Sequence, residues 1–399
     1  MANDPQVLVV GGGPAGMMAG YLFARAGVRT LVLEKHGDFL RDFRGDTVHP
    51  STLDLFDELG LYDRLLERPH EKVAALSAVV KGNSFKVADF GHLPGRSRFI
   101  AMMPQWEFLD FLSGEAKALP AFSLAMESEA TGLIEENGRV VGVTTKDGRA
   151  IRSRLVIAAD GRGSVLRRAA GLPLHDLGAP IDVLWFRVPK NRETKNESAG
   201  FIGAGRMIVL IDRGDYWQCA RVIGKGELDA VKALGLDRFR ADVRETAPPV
   251  GDAIGGLRDW DAVKLLTVSL DRLERWHRPG LLAMGDAAHA MSPVGGVGIN
   301  LAIQDAVATA NILAGPLAKG KDVDPLLAKV QARREFPVKA IQALQRGIHR
   351  NVIGEARADR ISNAPLLLRA LDGFAPLRRI PARVIGLGFR REHIRSPKA

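Results

Sequence analysis

The chain has 399 residues, 46% hydrophobic and 26% charged, with a net charge of +10. That length supports a large core and more than one folding unit, and the composition is that of a globular protein. One cysteine, Cys219, excludes an internal disulfide and gives no basis for a metal site, so no metal and a reducing, cytoplasmic setting are expected. The N-terminus lacks a charged region followed by a long apolar one, and no run of about 18 uncharged apolar residues occurs; neither a signal peptide nor a transmembrane segment is expected. Basic residues without a zinc-knuckle, RNP or helix-turn-helix signature argue against nucleic acid. The positive balance leaves anionic small molecules or an anionic membrane surface as partners.

Val7-Leu8-Val9-Val10 is a continuous apolar run, as expected of a strand buried on both faces. A glycine turn follows, then a helix from Pro14 to Ala26 ended by Gly27, then a second buried strand over Thr30–Leu33. Further helices are expected over Pro50–Leu59 and Trp106–Leu119. Turn signals at Asn137-Gly138 and Asp147-Gly148 divide residues 121–159 into a β meander, whose last strand runs into Asp160-Gly161. Strands with polar insertions are expected at 183–188, 207–211, 216–223 and 263–270, and the strand–glycine–helix pattern returns at Leu281. The expected division is a discontinuous cofactor domain (1–70, 100–175 and 277–330), a substrate domain (71–99 and 176–276), and a helical segment over 331–399.

Three constellations carry chemistry. Gly11-Gly12-Gly13-Pro14-Ala15-Gly16 is a G-x-G-x-x-G between strand and helix, with Glu34 at the end of the next strand. Gly11 permits the tight turn, Gly13 lets backbone approach a pyrophosphate, and Gly16 lets helix and strand pack closely. The helix start then offers N–H groups to phosphate, and Glu34 can accept ribose hydroxyls. Asp160-Gly161, with Ser164 and Arg167, reads alone as a turn. Gly285-Asp286-Ala-Ala-His289, with Pro293, Gly295, Gly296, Gly298 and Asn300, brings a carboxylate to a strand end and opens a helix near Gly298. Such a helix start stabilises negative charge on a ligand lying against it.

Together the three segments resemble the flavin-binding motifs of the class A flavoprotein monooxygenases, the p-hydroxybenzoate hydroxylase-like family. The resemblance implies an α/β fold: a Rossmann-type (GR2-like) FAD-binding domain interrupted by a β-sheet substrate domain, with a helical C-terminal tail. It implies that Gly11, Gly13, Pro14, Ala15, Gly16, Glu34 and Lys35 form the FAD fingerprint. Arg44 is similar to the family arginine near the FAD phosphates, and Gln105 to the glutamine that contacts the flavin. Asp160, Gly161 and Arg167 resemble the motif shared by FAD and NAD(P)H. Gly285, Asp286, Pro293, Gly296, Gly298, Ile299 and Asn300 resemble the segment that meets the ribityl chain and ring. The implied reaction uses non-covalent FAD, NADPH or NADH, and O2 to hydroxylate a small aromatic substrate through a flavin C4a-hydroperoxide. A second glycine fingerprint for NAD(P)H is absent, as in that family.

Other candidates keep two readings. Pro293 lies in the loop expected beside flavin and substrate. His49 approaches the site or caps a helix. Trp185, Arg187, Tyr216, Gln218 and Arg221 line a substrate pocket or are core aromatics with arginines reaching to solvent. Trp185 and Arg187 share one face by strand alternation. His289 has no second ligand at metal spacing and reads as a positional residue. Rival functions are a halogenase, an isoprenoid or quinone-type flavoenzyme, a flavin-holding protein without turnover, and a plain NAD-dependent dehydrogenase. The last leaves the motifs at 160 and 286 without a role.

Overall fold

A computed structural model describes residues 4–40, 47–190, 198–203, 205–350 and 366–399. Its centre is a six-stranded sheet in the order His277–Arg278, Leu281–Ala283, Leu155–Ala158, Val7–Val10, Thr30–Leu33, Phe122–Ala125. All neighbours are parallel except the first pair. Val7–Val10 sits in the middle and is buried along its whole length, which is why its sequence is uniformly apolar.

The Pro14–Arg25 helix follows that strand directly and packs so closely on the sheet that a Cβ at Gly20 would lie 2.6 Å from Val32 Cγ2. The long Gly298–Ala318 helix packs beside it, between it and the Asp324–Ile348 helix. An 18-residue window within 294–318 is apolar enough to cross a membrane by length and composition, with mean hydropathy 1.3, but it contains Asp305 and 78% of it is buried inside the protein, so it is core.

The expected meander is shorter than the 121–159 read from the sequence. Phe122–Ala125 instead joins the parallel sheet as an edge strand beside Thr30–Leu33, and Leu155–Ala158 joins it between Val7–Val10 and Leu281–Ala283. The antiparallel meander covers Ala130–Glu136, Arg139–Thr145 and Ala150–Arg152. Short strands look alike from either partner; the preceding Gln105–Lys117 helix supplies the crossover that makes this one parallel.

A seven-stranded sheet draws on two stretches of chain. Its order is Lys264–Leu266, Ile181–Pro189, Tyr216–Gly224, Arg206–Asp212, Ala199–Gly203, Ala75–Val80, Asn83–Asp89. Strands 199–203 and 75–80 pair in parallel, and every other neighbour is antiparallel. One face packs on the Leu236–Thr246 helix through Leu184, Phe186, Trp217, Phe239 and Val243. That helix went unread in the sequence, although Phe239 and Val243 stand at helical spacing. Beyond the Leu366–Gly373 and Ala375–Gly386 helices, residues 387–399 return across the core, and the Ala399 N–H donates to the Arg25 carbonyl at 2.9 Å.

Candidate active site

The 11–16 turn is built as its glycines require. Gly11 has φ +107°, and a Cβ there would lie 2.3 Å from the Ala159 carbonyl oxygen. A Cβ on Gly16 would lie 1.9 Å from the Gly11 carbonyl oxygen. These two glycines therefore seat the helix on the sheet. Gly13 differs: it is half-buried, yet a Cβ there meets nothing within 4 Å. It faces open space at the start of a helix that has no side-chain cap and no acidic residue in its first turn. Glu34 is buried and accepts the Gly12 and His36 N–H groups at 2.9 and 3.1 Å. Its carboxylate thus braces the glycine turn as well as standing at its rim. Lys35 beside it is exposed. Arg44 lies outside the described residues.

Asp160 turns its carboxylate inward, accepting from Ser164 Oγ at 2.5 Å and from the Val165 and Leu166 N–H groups. With Ser164 as N-cap it fixes the short Val165–Ala169 helix. Gly161 has φ +81°, which favours glycine. Arg167 is buried and donates to the carbonyls of Ala287 (3.2 Å) and Arg162 (2.8 Å), tying the Asp160 loop to the Asp286 loop. Asp286 itself is paired with Arg162 at 3.1 Å, a residue that the sequence reading passed over. Both side chains stay about one-third exposed.

Gly285 locates the meeting point of two helices. A Cβ there would lie 3.1 Å from Ala15 Cβ and 3.3 Å from Ala302 Cβ. The N-terminal ends of the Pro14–Arg25 and Gly298–Ala318 helices therefore converge on this strand end. The second helix start also lacks a side-chain cap and an acidic first turn. Two uncapped helix starts near one strand end suit a ligand with negative charge at two places.

Beneath the loop, Asp305 is fully buried. One of its oxygens takes the Gly285 N–H at 3.2 Å and His289 Nε2 at 2.6 Å; the other takes Arg334 Nε at 2.9 Å. Burial alone would raise its pKa, but His289 and Arg334 more than offset this and hold it below the usual carboxylate value.

The loop from Pro293 to Gly298 is held by Asn300. Its Oδ1 accepts the His49 N–H and Thr52 Oγ1, each at 2.8 Å, and its Nδ2 donates to the Thr47 and Gly296 carbonyls. The amide is committed within the protein, so Asn300 fixes the loop rather than presenting its side chain to a ligand. Gly296, at φ +61°, is required there, because a Cβ would lie 2.4 Å from Thr47 Oγ1. Gly298, Ile299 and Pro293 are half-buried on the same loop and helix start. Gln105, at the start of its helix, is half-buried, and its side-chain amide has no hydrogen-bond partner among the described residues.

His49 is fully buried ahead of the Pro50–Glu58 helix. Its Nδ1 lies 2.7 Å from the Ile385 carbonyl, which can only accept, so Nδ1 carries the proton. Burial lowers its pKa to about 4, keeping the ring neutral. It is a poor general base at neutral pH and ties this loop to the C-terminal helix.

Strand register separates the five sheet candidates. Arg187 pairs with Gln218 and Trp185 with Ala220, so Trp185, Arg187, Tyr216 and Gln218 share one face. Arg187 is exposed, with its guanidinium 5.2 Å from the Tyr216 ring centre. Gln218 is held by Arg213, which also donates to the Met102 carbonyl. Arg221 projects from the other face, buried against Asp242 (3.0 Å) and the Phe239 ring. The face carrying Trp185 packs through Val183, Met207, Val209, Ala220 and Val222 toward Val294 of the glycine loop and Ile348.

Residues 4–344 match the family model described as FAD binding domain. The chain is 33% identical over 338 residues to 6-methylpretetramide 4-monooxygenase of Streptomyces rimosus, spanning 82% of this chain and 79% of that one. It is 25% identical over 386 residues to ubiquinone hydroxylase UbiL of Rhodospirillum rubrum, spanning 94% and 87%. Among solved structures, PqsL of Pseudomonas aeruginosa in complex with 2-aminobenzoylacetate superposes with a TM-score of 0.76 at 22% identity, covering 89% and 97%. The tetrameric form of 2-methyl-3-hydroxypyridine-5-carboxylic acid oxygenase gives 0.74 at 19%, covering 99% and 100%. At those identities the likeness concerns the fold. The open cradle at Gly13 and the two uncapped helix starts meeting at Gly285 fit such a cofactor, and the chain belongs to the FAD-binding-domain family as an FAD-dependent monooxygenase of the aromatic-hydroxylase type.

Proposed function

We propose that the chain hydroxylates a flat, largely apolar aromatic substrate, using NADPH or NADH and O2. In balance, substrate–H, O2, NAD(P)H and a proton give substrate–OH, NAD(P)+ and water. The observation that carries the substrate class is the sheet face of Val183, Trp185, Met207, Val209, Ala220 and Val222 set toward Val294 of the flavin loop. An apolar wall with one tryptophan favours burying an aromatic ring system over a small charged acid. The Streptomyces rimosus relative is named as a monooxygenase of 6-methylpretetramide.

Flavin, when bound, supplies hydride acceptance and oxygen activation; the chain supplies position, charge and dryness. In this reading Gly13 and the Pro14 helix start hold the pyrophosphate, Glu34 and Asp286 accept sugar and ribityl hydroxyls, and Gln105 meets the ring. The Gly298–Ile299 helix start stabilises negative charge on the pyrimidine side. Pro293 shapes the loop between flavin and substrate, while Arg187 and Tyr216 guard the outer end of the sheet face. A cytoplasmic location belongs to the same proposal and rests on the single, buried thiol of Cys219.

The test is a panel of mono- to tetracyclic phenols assayed for NAD(P)H oxidation, hydrogen peroxide and product, with labelled O2. The expected result is that a polycyclic phenol accelerates NAD(P)H oxidation and gains one labelled oxygen. If no aromatic compound changes the oxidation rate, or peroxide accounts for all of it, the proposal is wrong.

A further inference from the structure

Residues 387–399 are bound to the helices around the cofactor cleft by more than surface contact. The Glu392 N–H donates to Gln304 Oε1 at 2.5 Å, and Asn311 exchanges hydrogen bonds with His393 and Arg395. Arg391 pairs with Asp54 at 3.0 Å, and Glu58 accepts His393 Nδ1 and the Ile394 N–H. One contact differs from the rest because it leads inward. Glu392, 7% exposed, takes Arg333 Nε at 2.6 Å and Arg334 Nη1 at 3.5 Å. Arg334, 1% exposed, holds Asp305, and Asp305 holds both the Gly285 N–H and His289. A chain of buried charge therefore runs from the tail to the strand end that presents Asp286.

A buried ionic chain is a poor way to gain stability, since desolvation roughly cancels the attraction. What it does well is fix geometry, because each charge accepts only a partner in the right place. We propose that Glu392, Arg334 and Asp305 are positioning residues for the cofactor, acting through Gly285 and His289, so that the C-terminal segment is a working part of the FAD site. The inference rests on FAD being held by the 285–300 loop. If it holds, coupling is reciprocal: bound FAD must tighten the tail as the tail tightens FAD.

The test compares Glu392→Gln with Glu58→Gln in the full chain. Glu58 anchors the same tail but stands outside the buried chain of charge. Glu392→Gln should raise the FAD Kd roughly two- to thirtyfold, the usual span for a coupled residue remote from the ligand, and alter the visible circular dichroism of bound flavin. Glu58→Gln should do neither. In the parent protein, FAD should slow amide exchange across 391–396. A folded Glu392→Gln variant with the parent's Kd and flavin spectrum overturns the proposal, as does equal weakening by both variants. If Glu392→Gln does not fold, the exchange measurement decides: exchange unchanged by FAD overturns it. A parent chain that binds no FAD overturns the cofactor assignment itself, a different outcome from tight parent binding with an indifferent variant.

Discussion

Acidification should expose His49. Its Nδ1–H is spent on the Ile385 carbonyl, and its Nε2 is buried with no hydrogen-bond partner among the described residues. Protonating Nε2 would create a buried charge with nothing to accept its new hydrogen. The folded pKa is therefore depressed, from 6.5 to about 4. Above pH 6.5 both folded and unfolded chains carry a neutral ring and no penalty arises. As pH falls below 6.5 the unfolded chain takes up a proton that the folded chain refuses until about pH 4, so stability falls across that window. At about 1.4 kcal/mol per pKa unit, this one residue withdraws roughly 3 kcal/mol. The assay is urea unfolding of the flavin-free protein, followed by tryptophan fluorescence, at several pH values between those limits. His49→Gln removes the titration, so its stability should fall less steeply with acid than the parent's, whatever the variant loses at neutral pH. Contributions from His277 and His349, whose pKa values burial also lowers, are common to both proteins and cancel. Parallel pH profiles for parent and variant would refute the reasoning.

The second and third glycines of the fingerprint should respond differently to alanine. Gly16→Ala puts a methyl against the Gly11 carbonyl and should destabilise the flavin-free protein by about 1–3 kcal/mol or more, whereas Gly13→Ala should melt like the parent and lose FAD affinity; equal melting losses would contradict the assignment. Asp286→Asn should weaken FAD binding by about 1.5–3 kcal/mol, the range for a hydrogen bond to a charged group, as read by fluorescence titration; an unchanged affinity would make the loop only a turn. Trp185→Ala should raise KM or divert NAD(P)H oxidation to hydrogen peroxide with a normal flavin spectrum. Arg221→Met should lower the melting temperature and leave KM alone, because its partner is Asp242 on the far face; a KM effect from Arg221 alone would mean that the wrong face has been assigned.

What was legible in the sequence was what local chemistry dictates. Val7–Val10 and Leu155–Ala158 are buried on both sides and therefore uniformly apolar, and Gly11 and Gly16 are forced by backbone contact within a few residues or across one strand. Phe122–Ala125 was misread because alternation reports burial, not the direction of the partner strand. Arg221 could have been sorted correctly: alternation from Tyr216 puts it with Trp217 and Cys219, away from Gln218. The connection from Asp305 to Arg334 and Glu392 had no comparable signal. Ion pairs between residues 29 and 58 positions apart leave no period in a sequence. Asn300 reads in the sequence as a ligand residue, yet its four side-chain hydrogen bonds all go to protein, and they hold the glycine loop to the segment around Thr47.

The seven-stranded sheet is drawn from two separate stretches of the chain, and this bears on how the fold can be rebuilt. The larger piece departs after Leu155–Ala158 and returns at Leu281–Ala283, its immediate neighbour in the central sheet. An excursion that rejoins the adjacent strand can be lengthened or rewritten while its anchor points stay put. The smaller piece, Ala75–Asp89, is sealed to the larger by one parallel seam, Ala78 against Gly200 and Val80 against Ile202. Swapping residues 176–276 alone between relatives would leave that seam mismatched and an edge of unpaired backbone exposed. A graft that carries both pieces keeps the seam intact, so evolution and engineering alike should move them as a pair.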